Sequence, residues 1–297
     1  MRREENSRLM KVFNFLHMKK LYWKARRFHT PVASNELVLE VGAGGNPYPR
    51  ANILLDAYEE TRERHWVPLI QDRPTVLGYV ENLPFKDKSF DFVIAAHVLE
   101  HSTDPVKFLT ELQRVAKSGY IEVPSAFMER INPYKDHRLE ISCKGNKLVL
   151  FKKSNWVEDS YLVDLYEGNI KEIITKQTIP NNPLDFHVRY YWNNKIDFEV
   201  LNPNTDANWL APPSIAGYQR VKPSIKNKLN FFLQGIVRSL FSQSRRNKSI
   251  NVEELLRCPK CKSENISNVQ SKVICQECST IFSTRGNLID MINYNEN

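Results

Sequence analysis

The sequence predicts an α/β fold: a doubly wound, mostly parallel seven-stranded sheet with added hairpins and a small C-terminal unit stapled by a metal. Three observations predict it. Short apolar runs alternate with helical or turn segments between residues 37 and 123, the order that produces a parallel sheet. The first run, LVLEVG, ends in a glycine-rich turn. Four of the five cysteines form two CxxC pairs within the last 45 residues, the spacing of a four-thiolate site.

In chain order, residues 9–28 set Met10, Val12, Phe13, Leu16, Leu21 and Trp23 among Lys and Arg, which predicts one amphipathic helix. LVLEVG (37–42), NILLD (52–56), TVLG (75–78), DFVIAAH (91–97) and GYIEV (119–123) read as buried strands. DPVKFLTELQRVAKSG starts a helix at Asp104-Pro105, repeats Val106, Leu109, Leu112 and Val115 on one face, and stops at Gly119. Beyond Pro124, LEISCKGNKLVLFKK reads as a hairpin turning at Gly145-Asn146, and WVEDSYLVDLYEGNIKEIITK as a helix. DFHVRYYWNNKIDFEVL reads as a second hairpin turning at Asn193-Asn194. Residues 202–224 form a linker rich in Pro and Asn. The divisions expected are a basic helical extension (1–30), the main domain (31–205), linker and basic amphipathic helix (206–252), and the cysteine unit (253–297).

The net charge of +8 is uneven: residues 1–39 carry +6, 40–206 carry −5, 207–252 carry +8 with no acid, and 253–297 carry −1. No stretch approaches 18 apolar residues, and the basic N-terminus lacks a signal-peptide core. A cytoplasmic location is expected, and with it a metal site in preference to disulfides.

The glycine-rich stretch VLEVGAGGNPYPRANILLD decides the cofactor. A dinucleotide fingerprint needs GxGxxG and a helix whose N-terminus seats the pyrophosphate. Here Gly42 and Gly44 fit, but Pro47 stands at the third glycine, and Pro47 with Pro49 prevents a long helix. Glu40 precedes the glycines; a carboxylate there repels a diphosphate and pairs with an ammonium. Asp56, ending the second strand, can accept both ribose hydroxyls. A ligand with a ribose, an amine and no phosphate fits, which is S-adenosylmethionine. A nicotinamide dinucleotide, or a fold that has lost its cofactor, are the alternatives.

Glu40-Val-Gly-Ala-Gly44, Asp56 and the stretch ENLPFKDKSFDFVIAAHVLEHSTDPVKFLTELQRVAKSGYIEVPS (81–125) resemble the class I S-adenosylmethionine-dependent methyltransferases, in particular the large group that includes ubiquinone-pathway enzymes. The resemblance spans about residues 36–125 and implies a seven-stranded sheet with the cofactor over the C-terminal strand ends. It implies that Glu40, Gly42 and Gly44 meet the methionine moiety and Asp56 the ribose. It sets Tyr79, Glu81 and Asn82 beside the adenine, and Ala96 and His97 beside the cofactor. Tyr79 departs from the family, where an acid commonly meets the adenine amine; Glu81, a backbone contact or stacking on Tyr79 would replace it.

Methyl transfer is an in-line displacement, so the protein positions the acceptor and takes its proton. HVLEH supplies His97, Glu100 and His101 just after the fourth strand, and His137 and His187 follow in the hairpin region. His97, His101 and His187 are the candidate bases. His97 and His101 could instead order the turn, or hold a divalent metal with Glu100, which the ubiquinone-pathway resemblance hints at. In FHVRYYW, His187, Arg189 and Tyr191 share one face, which either packs on a helix or meets a polar or anionic acceptor. Cys143 is expected to be buried.

Cys258, Cys261, Cys275 and Cys278 predict a closed, structural zinc site. The segment resembles the zinc ribbons of small methyltransferase activator subunits. Residues 223–248 set Ile225, Leu229, Phe232, Ile236 and Leu240 on one stripe among basic residues. That stripe is expected to be covered by the main domain, a membrane surface or RNA. The acceptor expected is a small molecule or a glycan, a lipid-linked one included. RNA or protein methylation through the ribbon and basic segments, or a non-catalytic cofactor-binding role, are the alternatives.

Overall fold

A computed structural model describes residues 5–61, 64, 66–132, 134–156, 160–209, 225–269 and 272–295. Most of the 202–224 linker lies outside the described residues. The chain divides into two compact units: Met1–Val32, Ala95–Pro105 and Tyr120–Pro213 form the first, and Ala33–Ile94, Val106–Gly119 and Ser214–Asn297 the second.

The expected N-terminal helix is two helices, α1 (Arg8–Phe15) and α2 (Lys19–Ala25). His17, at φ 56°, breaks the run between them, a left-handed conformation that no α-helix continues through. Ser7 caps α1 through the Met10 amide. Met10, Tyr22 and Ala25 form a small core between the two helices.

In the second unit β1 (Val38–Val41), β2 (Ile53–Asp56) and β3 (Thr75–Leu77) are parallel and buried on both faces. That burial explains their predominance of Val, Ile and Leu, against which Glu40 and Asp56 stand out. β4 (Phe92–Ala96) begins in this unit and lies on the far side of β1 from β2, giving the order β3-β2-β1-β4. Helix α3 (Pro105–Val115) buries Phe108, Leu109, Leu112 and Val115. Gly119 does not stop it: the helix ends at Val115, and Gly119 lies inside strand β5 (Ser118–Pro124).

Residues 45–52 form no helix, as Pro47 and Pro49 require. The carbonyls a helix would have bonded internally accept from the buried Arg73 guanidinium instead, at Tyr48, Pro49 and Ala51.

The first unit continues with α4 (Ala126–Ile131), capped by Ser125, and the expected hairpin β6 (Leu139–Lys144) and β7 (Lys147–Lys152). Gly145 takes φ +62° in its turn. Cys143 is exposed beside this turn, not buried. The predicted helix over 156–176 becomes short helical turns from Ser160–Leu165 to Ile179–Asn181, with residues 157–159 outside the described set. The second hairpin does not form. β8 (His187–Asn193) joins β5, while β9 (Phe198–Val200) pairs in parallel with β7. β8 buries Val188, Tyr190 and Trp192 on one face and only half-buries the other, so its own alternation commits it to a covered sheet.

The C-terminal segment adds β10 (Ile266–Val269), β11 (Lys272–Cys275), β12 (Ile281–Arg285) and β13 (Leu288–Asn295). β13 pairs in parallel with β3, Leu288 opposite Thr75 and Asp290 opposite Leu77. In place of a seven-stranded sheet ending at β3, that edge is extended by four ribbon strands. The helix Ile225–Phe241 follows the expected stripe, and the short helix Ser244–Lys248 anchors it. Asn247 and Gln243 bond to Asn52, and Arg246 bonds to the carbonyls of Ser34, Asn35 and Glu36.

Candidate active site

At the carboxyl ends of β1 and β2, Gly42 and Gly44 adopt φ +65° and +58°, the left-handed turn that glycine permits. Glu40 is buried, and its Oε2 accepts from the Tyr48 amide at 2.7 Å. Asp56 is buried and more heavily engaged. Its Oδ2 accepts from the Gly44 amide (3.0 Å), and its Oδ1 from the Tyr58 amide (3.0 Å) and Arg64 Nη1 (2.8 Å). Arg64 also bonds the carbonyls of Tyr58 and Glu59 and closes the loop over Asp56. Nothing in the local pattern marks Arg64, because its partner lies on a different element. Tyr79 is 46% exposed, while Glu81 and Asn82 are half-buried on a 3-10 turn after β3.

In the first unit Glu122 organises a charged cluster. It is buried in β5 and accepts from Arg26 through both oxygens (2.7 and 2.8 Å), from Tyr120 Oη, and from His97 Nε2 at 3.1 Å. A carboxylate inside the apolar run GYIEV was the legible signal, since a buried charge demands partners; the identity of Arg26 was not. His97 Nδ1 lies 3.6 Å from the buried Glu100. Burial opposes the charge on His97, but hydrogen bonds to Glu100 and Glu122 outweigh it and raise its pKa to about 9. Burial also works against Glu100 as an anion, yet its hydrogen bond from His97 and the neighbouring His137 and His101 lower it to about 2.

His187, at the start of β8, stands 5.6 Å from the His97 ring and 4.8 Å from Trp23. Its Nδ1 donates to the Pro183 carbonyl (3.0 Å), which leaves Nε2 with the lone pair. Burial, and then the proximity of His97, push its pKa below the ordinary value. His187 lines a cavity of about 500 Å³ with Asn6, Tyr22, Ser125, Ser142 and Arg189.

His101 belongs to another cluster. Its Nδ1 bonds the Asp136 carbonyl (3.1 Å), and its ring packs edge-on against His137 at 4.7 Å. His137 Nδ1 meets Glu129 at 2.6 Å, and Lys153 holds the other Glu129 oxygen. Glu100, His101 and His137 place one donor atom each within 4.8 Å of one another. His137 thus takes the place that the sequence offered to His97.

The four ribbon cysteines converge. Cys258 and Cys278 sulfurs are 3.7 Å apart, Cys261 and Cys275 3.5 Å, and all four lie within 4.8 Å. An ideal tetrahedron of 2.3 Å Zn–S bonds has edges of roughly 3.8 Å. The donor set fits zinc and leaves no open position. A hydrogen bond from Thr280 lowers the Cys278 thiol to about 6, whereas burial pushes the Cys258 thiol up to about 12.

A family model described as "Methyltransferase domain" matches residues 49–121. An uncharacterized Methanocaldococcus jannaschii protein is 30% identical over 142 residues, covering 48% of this chain and 67% of the relative. An uncharacterized Escherichia coli K12 protein is 24% identical, covering 44% and 68%. An uncharacterized Schizosaccharomyces pombe methyltransferase is 51% identical over 43 residues, 14% of this chain and 16% of that one. Similar solved structures include a Mesorhizobium loti S-adenosylmethionine-dependent methyltransferase, 12% identical with TM-score 0.33 over 58% of this chain and 98% of that chain. Another is the complex of the Haloferax volcanii Trm112 methyltransferase activator with a putative methyltransferase, 19% identical with TM-score 0.29 over 45% and 73%. With the glycine turn after β1, the carboxylate ending β2 and the β3-β2-β1-β4 order, the matched domain makes this chain a member of the class I S-adenosylmethionine-dependent methyltransferases.

Proposed function

We propose that this methyltransferase acts on an oxygen or nitrogen of a small-molecule or glycan acceptor, a lipid-linked one included. Glu40, Gly42, Gly44, Asp56, Tyr79, Glu81 and Asn82 would hold S-adenosylmethionine, which supplies the activated methyl group when bound. The observation that carries the reading is His187, a half-buried imidazole with a depressed pKa on the wall of a 500 Å³ cavity. Being neutral at neutral pH, it can accept the acceptor's proton. His97 fits a different role: with a carboxylate at each ring nitrogen it is an imidazolium that fixes the wall around His187. His101 supports the His137 cluster. In the ribbon, four thiolates hold a structural zinc. The test is incubation of the protein with methyl-labelled S-adenosylmethionine and fractionated cell extract. Label should enter a small-molecule or glycan fraction, and His187→Gln should lower the rate roughly 100-fold or more while cofactor binding persists. Label appearing only in RNA or protein would favour the alternative in which the ribbon and basic segments grip a macromolecule.

The partner surface we propose is an anionic membrane. Among the described residues of the helix Ile225–Phe241, Leu229, Phe232, Leu233, Ile236 and Leu240 are exposed on one stripe. Residues 207–252 carry eight basic residues and no acid. RNA would use the charge and leave the apolar stripe in water; a headgroup layer accommodates both. No helix among the described residues is long and apolar enough to cross a membrane.

A further inference from the structure

The cavity beside His187 also contains a cation that proton abstraction does not require. Arg189 follows His187 by two positions on β8, so the two side chains leave the same face about 7 Å apart. All five guanidinium N–H groups are used. Nε donates to Tyr120 Oη (3.1 Å), Nη1 to Tyr22 Oη (3.1 Å) and Asn6 Oδ1 (3.4 Å), and Nη2 to Tyr191 Oη (3.1 Å) and the Glu5 carbonyl (3.2 Å). Every one of these acceptors is a neutral oxygen. Arg26, in the same unit, shows the contrast: it is bidentate on Glu122. Glu122 stands one hydrogen bond beyond Arg189 through Tyr120, but Arg26 and His97 already take it. Glu5 and Asp185 also line the cavity, but among the described residues no carboxylate bonds Arg189 directly, and a half-buried cation without an ionic contact of its own favours an anion that reaches it.

Two of the five bonds go to residues 5 and 6, which line the same cavity, and the one to Asn6 is the longest at 3.4 Å. The Tyr191 hydroxyl accepts from Arg189, so its own proton remains to be donated.

We infer that this cavity is an anion subsite. It takes acceptors bearing a carboxylate or phosphate about one strand repeat, ~7 Å, from the atom to be methylated. The oxyanion displaces Asn6 and the Glu5 carbonyl from the two Nη atoms, engages the guanidinium fork and accepts from Tyr191. The ~7 Å separation rests on His187 as the base; the anion subsite itself does not.

The test is calorimetric titration of the full chain with inorganic phosphate and, separately, with acetate, at constant ionic strength. Saturable binding of at least one at roughly millimolar concentration is expected, and the tighter probe tells phosphorylated from carboxylated acceptors. Arg189→Gln should weaken it about tenfold or more, and Tyr191→Phe severalfold. Arg130→Gln, an exposed control, and His187→Gln should leave it unchanged. Because Tyr191→Phe removes one hydroxyl and keeps the ring, it decides the matter even if Arg189→Gln does not fold. Absence of saturable binding for both anions, or binding indifferent to both Arg189→Gln and Tyr191→Phe, overturns the subsite. Loss of methyl transfer in His187→Gln with anion binding intact leaves the subsite standing.

Discussion

Asp56 is a carboxylate with more than one commitment. It closes the glycine turn through the Gly44 amide and neutralises Arg64, so its oxygens are fixed before any ribose arrives. Replacing it with Asn keeps the shape and removes the charge. Asp56→Asn should weaken S-adenosylmethionine by roughly 1.5–3 kcal/mol, read by calorimetry; an unchanged affinity, or preference for a nicotinamide dinucleotide, would sink the ribose assignment. His97 makes a prediction about pH. Its folded pKa of about 9 lies above the ordinary 6.5, so folding favours the protonated ring. The stability it contributes is fully present below pH 6.5 and is lost as pH rises through about 9. The ring is 43% exposed, so solvent screens part of the effect. Urea midpoints should fall from pH 6.5 to 9, and more steeply than in His97→Gln. Equal slopes in the two proteins would show that Glu100 and Glu122 are satisfied without it.

At the scale of elements, the helix Ile225–Phe241 is tied at its end to the domain through Arg238 on Asp72 and the short helix that follows. Phe232 is 65% exposed and Leu240 74%. Vesicles containing phosphatidylglycerol should therefore float the protein and neutral vesicles should not, with Phe232→Asp abolishing flotation while the protein stays folded. Wild-type protein that never floats, or an insoluble Phe232→Asp, would mean that the stripe is covered by protein. β8 and β9 carry a different lesson. The Asn193-Asn194 turn signal is real, and Asn194 does take φ +61°. A turn fixes where the chain bends, however, not whether the strands on either side pair. Val188, Tyr190 and Trp192 gain more from a covered sheet than from a bare hairpin.

On the scale of the whole molecule, the ribbon closes a sheet edge. β13 covers β3, Leu288 packs with Leu69 and Leu77, and the Pro84–Lys86 backbone bonds Arg257 and Leu255. Within the same unit the first cysteine turn reaches Asn82, whose amide donates to the Pro259 carbonyl. Elemental analysis should find about one zinc per chain, and Cys258→Ser should lose it, expose the β3 edge and aggregate. A metal-free protein with four reactive thiols and an intact ribbon would contradict this. The sequence by itself determined the parallel strands, the prolines that forbid a helix after Gly44, the carboxylates at 40 and 56, and the four sulfur ligands. Each of these is written within one element: a predominantly apolar run, a fixed φ, a spacing of three. Only the tertiary structure decided that Arg64 meets Asp56, that Arg26 and His97 share Glu122, that His137 joins His101, and that β13 docks on β3. Those partners lie up to hundreds of residues apart, and a charge or an open strand edge announces that it needs a partner without naming which one the fold will bring.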